Sequence, residues 1–529
     1  MNLFFDIPKV HQVDLLAEWL QPEDVAKLDV AVACHKHRKE LTDLLSSPEC
    51  VLGMLEYLHK GTTEWIISRQ VKVCGIAMYN KDLADGEAVE KLVKVIGPTL
   101  KALDYYCSIQ NEEDLDDDES IEPLPISMDQ VLYHFIRNMT CLESLKLCDG
   151  AVDGMVSALI SCNKHTLKSF ELSKCSNVSA SILKACCDSP CLENLVICTC
   201  EFTDDALRFF AKTNTTVRKL TFSGALNSVQ VLNYVGRFSN LRYVEAHLGD
   251  VELALASKCC KLVEHAKITV STPLTLPFAT EVTQNWKHIV QLEILPSVPE
   301  THVCNQNVML LFVHNCLTLQ QLVLAPPKQI RIDDIPFEPI ATSVDASRLI
   351  HSNLTELTVS YLSKNLLEAV IEKCPELRSL CINRPIPSYM GSLAHEHAEF
   401  SLDLLNHTKV IHLSLSYCMD FTLQQLSSLH NLEKLELYNM GNPMHDLGDH
   451  EMIQFVQQCP NLHTLHLHHC PFFDYHTVLP LLHAAPKLVD FEYTAVGADN
   501  RPGLSPTELV LQEVMQKLFP RLVYFEMRS

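Results

Sequence analysis

Glycine, basic charge and long apolar runs are scarce in this chain. Only 15 of its 529 residues are glycine, too few for glycine-rich phosphate-binding loops to recur along it. Lysine and arginine total 42 against 65 aspartate and glutamate residues, which gives a net charge of −23. That balance argues against general binding to nucleic acid or to an anionic membrane. No apolar run approaches about 18 residues, so we expect no membrane-spanning helix.

Sequence motifs of common catalytic sites are also missing. The chain has no P-loop and no GxSxG, HExxH or GxGxxG pattern. No nucleophile stands in phase with an acid–base partner. We therefore expect a protein that is not an enzyme and needs no cofactor.

Cysteine, by contrast, is abundant, with 22 residues. The N-terminal stretch MNLFFDIPKVHQVD has neither a basic start nor a continuous apolar segment, so we expect no signal peptide. Reduced, buried thiols in the cytoplasm or nucleus are then the favoured interpretation.

Apolar residues recur at a fixed step of 25 residues between positions 142 and 222. The four copies of the L-x-x-L-x-L pattern are Leu142, Leu145 and Leu147; Leu167, Phe170 and Leu172; Leu192, Leu195 and Ile197; and Val217, Leu220 and Phe222. Such a period indicates a leucine-rich repeat solenoid, in which each unit supplies a short strand followed by a helix-like segment. We predict an α/β horseshoe of about 15 units over residues 49–529, because the pattern returns with looser steps to the end of the chain.

Two longer interruptions separate repeat units. Residues 111–125, NEEDLDDDESIEPLP, are rich in acidic side chains and predict a solvated insertion. Residues 326–349 form a second predicted loop insertion, marked by several prolines. Loops that leave a solenoid on one face often contact ligands.

Residues 1–48 do not fit the repeat and are helical in pattern. They resemble an F-box, through Ile7-Pro8, a first helix with Leu15, Leu16, Trp19 and Leu20, then Pro22, Asp24, Val25 and Leu28, and a basic cluster at His37-Arg38-Lys39. The resemblance implies that this module binds the Skp-type adaptor of a cullin-based SCF ubiquitin ligase. The adaptor face would be Pro8, Leu15, Leu16, Trp19, Leu20, Pro22 and Val25. The alternative is a helical cap that only closes the first repeat.

The cysteines follow the phase of the repeat. Cys175, Cys200, Cys418 and Cys470 stand three residues after the last strand leucine, and Cys316, Cys374 and Cys459 three residues before the first. Fixed turn positions explain them better than zinc binding by the group of cysteines at positions 187–200. The pattern resembles the cysteine-containing leucine-rich repeats of F-box proteins, which implies a substrate receptor of a ubiquitin ligase. The alternative function is an interaction scaffold without a ligase.

Side chains between the strand leucines should point to the concave face of the solenoid. The predicted partner-binding residues are Glu171, Tyr243, Glu245, Glu293, Glu436, Tyr438, His466, His468, Asp490 and Glu492. Acidic rows with tyrosines favour a protein or peptide partner that carries a basic segment. For the histidines near residue 466, a solvated patch is favoured over a metal site, so we predict no bound metal.

Overall fold

The computed structural model describes most of the chain, with gaps. The described residues are 2–5, 7–32, 35–55, 60–79, 86–107, 128–152, 154–203, 216–223, 239–270, 274–297, 306–324, 353–359, 364–383, 405, 408–416, 426, 429–438, 449–468, 475–494 and 506–528. They divide into two compact units, Met1–Ala246 and His247–Ser529. The predicted insertions at 111–125 and 326–349 lie outside the described residues.

The first unit alternates short strands and helices. Its helical elements are α1 (Asn2–Phe5), α2 (Lys9–Asp14), a π-helical turn (Leu15–Trp19), α3 (Pro22–Ala31), α4 (His35–Leu45), α5 (Lys60–Arg69), α6 (Gly86–Ile96), α7 (Met128–Asn138), α8 (Gly154–Cys162) and α9 (Ala180–Cys187). Its strands are β1 (Val51–Leu55), β2 (Lys72–Tyr79), β3 (Ala102–Tyr106), β4 (Ser144–Cys148), β5 (Ser169–Ser173), β6 (Asn194–Cys198), β7 (Lys219–Ser223) and β8 (Tyr243–His247). Successive strands pair in parallel, in chain order.

The second unit repeats the same alternation. Its strands are β9 (His265–Val270), β10 (Gln291–Pro296), β11 (Gln321–Leu324), β12 (Glu356–Val359), β13 (Ser379–Asn383), β14 (His412–Ser416), β15 (Lys434–Tyr438), β16 (Thr464–His468), β17 (Asp490–Thr494) and β18 (Tyr524–Arg528). Its described helices are α10 (Asp250–Cys259), α11 (Leu276–Asn285), α12 (Gln306–Asn315), α13 (Lys364–Lys373), α14 (Asp449–Gln458), α15 (Tyr475–Ala484) and α16 (Pro506–Leu518). These strands also pair in parallel and in order.

The strand leucines form the core, as the repeat predicts. In β5, Phe170 and Leu172 are buried, while Ser169, Glu171 and Ser173 between them are half-buried on the other face. Parallel strands need a crossover, and here the helix of each repeat packs beside the next, as α8 does on α9. The predicted α/β leucine-rich repeat solenoid is therefore confirmed as the fold class.

Hydrogen bonds that enter strands β5 to β7 repeat with a 25-residue step. The N–H groups of Lys168 and Ser169 both donate to the carbonyl of Glu143, at 2.7 and 3.0 Å. One repeat later, Glu193 and Asn194 donate to Lys168 at 2.8 and 2.9 Å. This shared carbonyl sets the register between neighbouring strands, because it places the same repeat positions side by side.

A residue in the left-handed backbone conformation follows each of three successive strands. Asp149, Lys174 and Thr199 each follow a strand directly and have φ of 57°, 51° and 50°. Their N–H groups donate to the last strand residue of the next repeat, with Thr199 at 2.6 Å from the carbonyl of Ser223. Glycine usually fills such positions, so a chain with few glycines carries backbone strain here, most of all at the β-branched Thr199.

Five of the seven cysteines that follow the repeat phase are buried, as predicted. Cys175, Cys200, Cys316, Cys374 and Cys459 form no disulfide and are almost fully enclosed, whereas Cys418 and Cys470 lie outside the described residues. The thiol of Cys175 donates to the carbonyl of Leu147 at 3.4 Å, and that of Cys459 to the carbonyl of Leu429 at 3.5 Å. Burial raises the pKa of Cys316 and of Cys459 to about 12, so both remain protonated thiols at neutral pH.

The start of the repeat region differs from the pattern expected from its sequence. Apolar and polar residues alternate over 65–78, a pattern that predicts an entry strand or a degenerate first repeat, but Trp65 to Arg69 belong to α5, and the strand β2 begins at Lys72. An earlier strand, β1, pairs with β2 in parallel. None of the helices among the described residues has the length and apolar character needed to cross a membrane.

Replacing Thr199 by glycine tests the strained turn. Thr199→Gly should raise the free energy of unfolding by about 1 kcal/mol, since relief of the left-handed strain exceeds the entropic cost of glycine. The urea midpoint measures the change. Thr221→Gly, inside strand β7, is the matched control and should lower the midpoint. A lower midpoint for both variants would contradict the strain assignment.

Candidate functional site

Each unit presents one sheet face that does not line the core. We call this the open face; it carries the side chains between the buried strand residues. Because the strands pair in register, equivalent positions form rows, such as Lys146, Glu171, Val196, Thr221 and Glu245 in the first unit. All ten predicted partner-binding residues lie on the open face of one unit or the other.

In the first unit, two acidic residues of the open face, Asp104 and Glu171, lie next to Lys146. Glu171 forms an ion pair with Lys146, with 2.9 Å between Glu171 Oε1 and Lys146 Nζ. Asp104 lies opposite Lys146 on β3. Burial raises the pKa of Asp104, although the charge of Lys146 opposes that effect. The predicted acidic row is therefore mixed in charge.

Glu245 is held by neighbouring polar groups. The hydroxyl of Tyr243 donates to Glu245 Oε2 at 3.1 Å, and Thr221 Oγ1 lies 3.5 Å from the same atom. The ammonium group of Lys219 sits 4.9 Å from the centre of the Tyr243 ring. These contacts fix the orientation of a carboxylate that is still half-exposed.

In the second unit, Glu436 is the centre of a charged cluster. Its side chain is only 5% exposed. Lys434 Nζ lies 2.9 Å from its Oε1, His466 Nδ1 3.6 Å from the same oxygen, and His412 Nε2 3.7 Å from its Oε2. Glu436 therefore holds neighbouring side chains of the open face in place and is too buried to be a main contact for a partner. Glu293, on β10, stays half-buried and lies between Lys267 and Val323 in register.

His466 lies between two carboxylates. Besides its contact with Glu436, its Nε2 lies 3.1 Å from Asp490 Oδ1 on the next strand. Burial lowers the pKa of His466, but the contacts with Glu436 and Asp490 together raise it more, so the net shift is upward.

His468 has aromatic and polar neighbours. Its ring stacks on that of Tyr438 at 4.3 Å between centroids and an interplanar angle of 9°. Its Nδ1 lies 3.7 Å from Glu492 Oε1 and 3.4 Å from Thr494 Oγ1. Burial, followed by the charges of Glu436 and Glu492, raises the pKa of Tyr438, so its hydroxyl stays protonated.

Ser379, His412 and Glu436 come together in an order that catalytic triads also use. Ser379 Oγ lies 2.9 Å from His412 Nδ1, yet His412 and Glu436 remain 3.7 Å apart, beyond hydrogen-bonding distance. Lys434 neutralises the carboxylate instead. The backbone N–H groups of these strands are committed to sheet pairing, so they do not form an oxyanion hole.

Sequence reasoning did not single out Lys434 and Thr494 as members of this surface. The signal was present, because Lys434 stands two residues before Glu436 and therefore on the same strand face. Its pairing with Glu436 needed side-chain geometry, which alternation does not supply.

The predicted adaptor-binding residues divide by exposure. Leu16, Pro22 and Val25 are buried within the first unit, where the π-helical turn and α3 contact β1. Leu15 is 37% exposed, Pro8 is exposed and Leu20 is half-buried. The side chain of Trp19 lies outside the described part of the chain. The burial of Leu16, Pro22 and Val25 is the behaviour expected of a helical cap, because a partner-binding face would leave such side chains exposed.

A buried aspartate ties α3 to α5. Asp29 is 2% exposed, and it accepts hydrogen bonds from Trp65 Nε1 at 3.1 Å and from Arg69 Nε at 2.9 Å. The N-terminal helices are thereby fixed to the first helix that follows a repeat strand.

Comparison with known proteins supplies distant structural neighbours. No protein-family model matches the chain, and no curated protein matches it either. A crystal structure of a TLR13–ssRNA13 complex is 13% identical, with a TM-score of 0.39, over 84% of this chain and 61% of that chain. This chain thus covers less than two thirds of that neighbour. A crystal structure of the Rad7 and Elc1 complex in yeast is 12% identical, with a TM-score of 0.33, over 84% of this chain and 86% of that one. Neither similarity is close enough to support a conclusion about function.

Replacing Asp29 by alanine tests the N-terminal attachment. Asp29→Ala should cost about 2–3 kcal/mol locally, because two hydrogen bonds to a buried carboxylate are lost. Limited proteolysis should then cleave within residues 1–48 at least tenfold faster. Asp24→Ala, an exposed residue of the same helix, should cleave at the normal rate. Equal cleavage of both variants would show that Asp29 does not hold these helices.

Proposed function

We propose that this chain is a non-catalytic receptor that binds a protein or peptide segment on its open face. The observation that carries the proposal is the in-register row structure of that face, which offers half-exposed charged, hydroxyl and aromatic groups on successive strands. A row of fixed polar groups over many strands suits an extended partner, because each strand adds a contact at a constant spacing.

The proposed partner carries a basic segment. The net charge of −23 attracts positive ligands over distance. Half-buried carboxylates such as Glu245 and Glu293 lie on the open face, where a lysine or arginine of the partner would contact them. A general nucleic-acid or membrane role is not part of this proposal, since both would require a basic surface.

Charge reversal on the open face tests the receptor proposal. Glu245→Lys on the open face of the first unit combined with Glu293→Lys on that of the second should reduce capture of basic partners at least tenfold in quantitative affinity purification, because each places a like charge on the open face of its own unit. Glu513→Lys, on an exposed helix position, is the control with equivalent chemistry. Partner sets that are the same in all three proteins would contradict binding on the open face.

The finer proposal is that the receptor serves an SCF-type ubiquitin ligase in the cytoplasm or nucleus. Its support is the F-box resemblance of residues 1–48, together with apolar side chains that stay exposed there, including Val10, Leu15 and Val30. An interaction scaffold without a ligase is the competing proposal, and the buried Leu16 and Val25 favour it.

A direct binding measurement with purified Skp-type adaptor distinguishes the ligase proposal from the scaffold proposal. If the ligase proposal holds, the full chain binds the adaptor and Leu15→Asp weakens binding at least tenfold, since a charge enters an apolar contact. Val523→Asp, at an exposed apolar residue of the last described repeat, should bind like the unaltered chain. Failure of the unaltered chain to bind adaptor would reject the ligase proposal and leave the scaffold.

A further inference from the structure

Three potential metal ligands meet on the open face of the second unit. His466 and His468 alternate on β16 and so share one face, and Glu492 lies directly opposite His466 on β17. One ligand atom from each residue lies within 4.8 Å of the ligand atoms of the other two. The two histidine side chains are each 15% exposed, so the group is partly shielded from water.

The donor types indicate which ion would bind. Two imidazoles and one carboxylate suit Zn²⁺ and its neighbours Co²⁺ and Ni²⁺, whereas Ca²⁺ and Mg²⁺ favour oxygen donors alone. Around a tetrahedral zinc ion, with bonds of about 2.0–2.2 Å, ligand atoms stand roughly 3.3–3.5 Å apart. Side-chain rotations that draw these atoms together by roughly 1 Å would reach that geometry.

The neighbouring side chains provide the support that such ligands require. If Nδ1 of His466 binds the ion, its Nε2 lies 3.1 Å from Asp490 Oδ1; if Nε2 binds the ion, Nδ1 lies 3.6 Å from Glu436 Oε1, which is an ion-pair distance and not a hydrogen bond. A carboxylate on the second nitrogen fixes the tautomer and orientation of a metal-bound histidine. The ring of His468 is held by stacking on Tyr438.

The charges of the cluster also leave room for a divalent cation. The carboxylates are those of Glu436, Asp490 and Glu492, and the ammonium group is that of Lys434. Carboxylates outnumber ammonium groups among these side chains, so the positive charge of a divalent ion is favourable next to them.

We propose that His466, His468 and Glu492 form a binding site for one divalent transition-metal ion of the zinc class. Asp490 and Glu436 act as positioning residues for His466. The ion cross-links strands β16 and β17. Three protein ligands leave a fourth coordination position for water or for a side chain of the partner.

Metal titration of the chelator-treated full chain tests the site. Co²⁺ alone is the first probe, because its absorption spectrum distinguishes nitrogen and oxygen ligands from the thiolates of other sites; Zn²⁺ alone is the second, measured by equilibrium dialysis. The unaltered chain should bind one ion that shows a nitrogen–oxygen spectrum. Binding should also raise the melting temperature, since the ion attaches to the folded state.

Two variants and one control complete the experiment. Glu492→Gln keeps the side-chain shape, and His468→Ala removes a ring; each should weaken binding at the nitrogen–oxygen site at least tenfold. His463→Ala, an exposed histidine just before β16, should bind like the unaltered chain. Circular dichroism confirms that the variants fold. Unchanged affinity in both folded variants, or a spectrum from thiolates alone, would overturn the proposal. Neither result depends on whether a protein partner binds.

Discussion

Register between parallel strands is the constraint on which the rest of this structure depends. Each strand is only four to eight residues long, and its hydrogen bonds and its buried side chains both come from adjacent repeats. A slip of one residue would turn Leu465 and Leu467 outward and His466 inward. The shared carbonyl before most of the strands opposes such a slip, since one acceptor engages two successive N–H groups of the next repeat. Core and open face are therefore specified by the same contacts.

The repeat pattern predicts the core and the open face well because both depend on residues within one repeat. Alternation of leucine and polar residues determines which side chains face inward, and a constant step aligns them across repeats. The buried cysteines follow for the same reason, since Cys175 and Cys459 occupy fixed turn positions in their units. Strand β1 carries no full L-x-x-L-x-L pattern, and the periodicity of residues 65–78 is shared by a helix end and a strand. Pattern alone does not separate those two.

The candidate surface is less predictable because its properties arise between repeats. Alternation places Glu436, His466 and Glu492 on one face, but two partners of Glu436, His412 and His466, come from neighbouring strands and lie 24 and 30 residues away in sequence. Burial of its carboxylate and its contact with Lys434 depend on side-chain rotamers as well as on register. The N-terminal helices show the same limit. An apolar helix face looks alike whether it packs on its own chain or on an adaptor, and only the three-dimensional contacts reveal that Leu16 and Val25 are enclosed.

The net charge of the chain and the individual charges on the open face have different effects on a partner. The net charge of −23 acts over distances near the Debye length, about 8–10 Å in physiological salt, and it governs how fast a basic partner arrives. Contact specificity depends on individual groups, and here Lys146 already compensates Glu171. A partner must therefore compete with pairs inside the chain, or use hydroxyl and aromatic groups such as those of Tyr243 and Tyr438. Selectivity on such a surface comes from the geometry of fixed polar groups, because a charge that is already balanced adds little affinity for an indiscriminate cation.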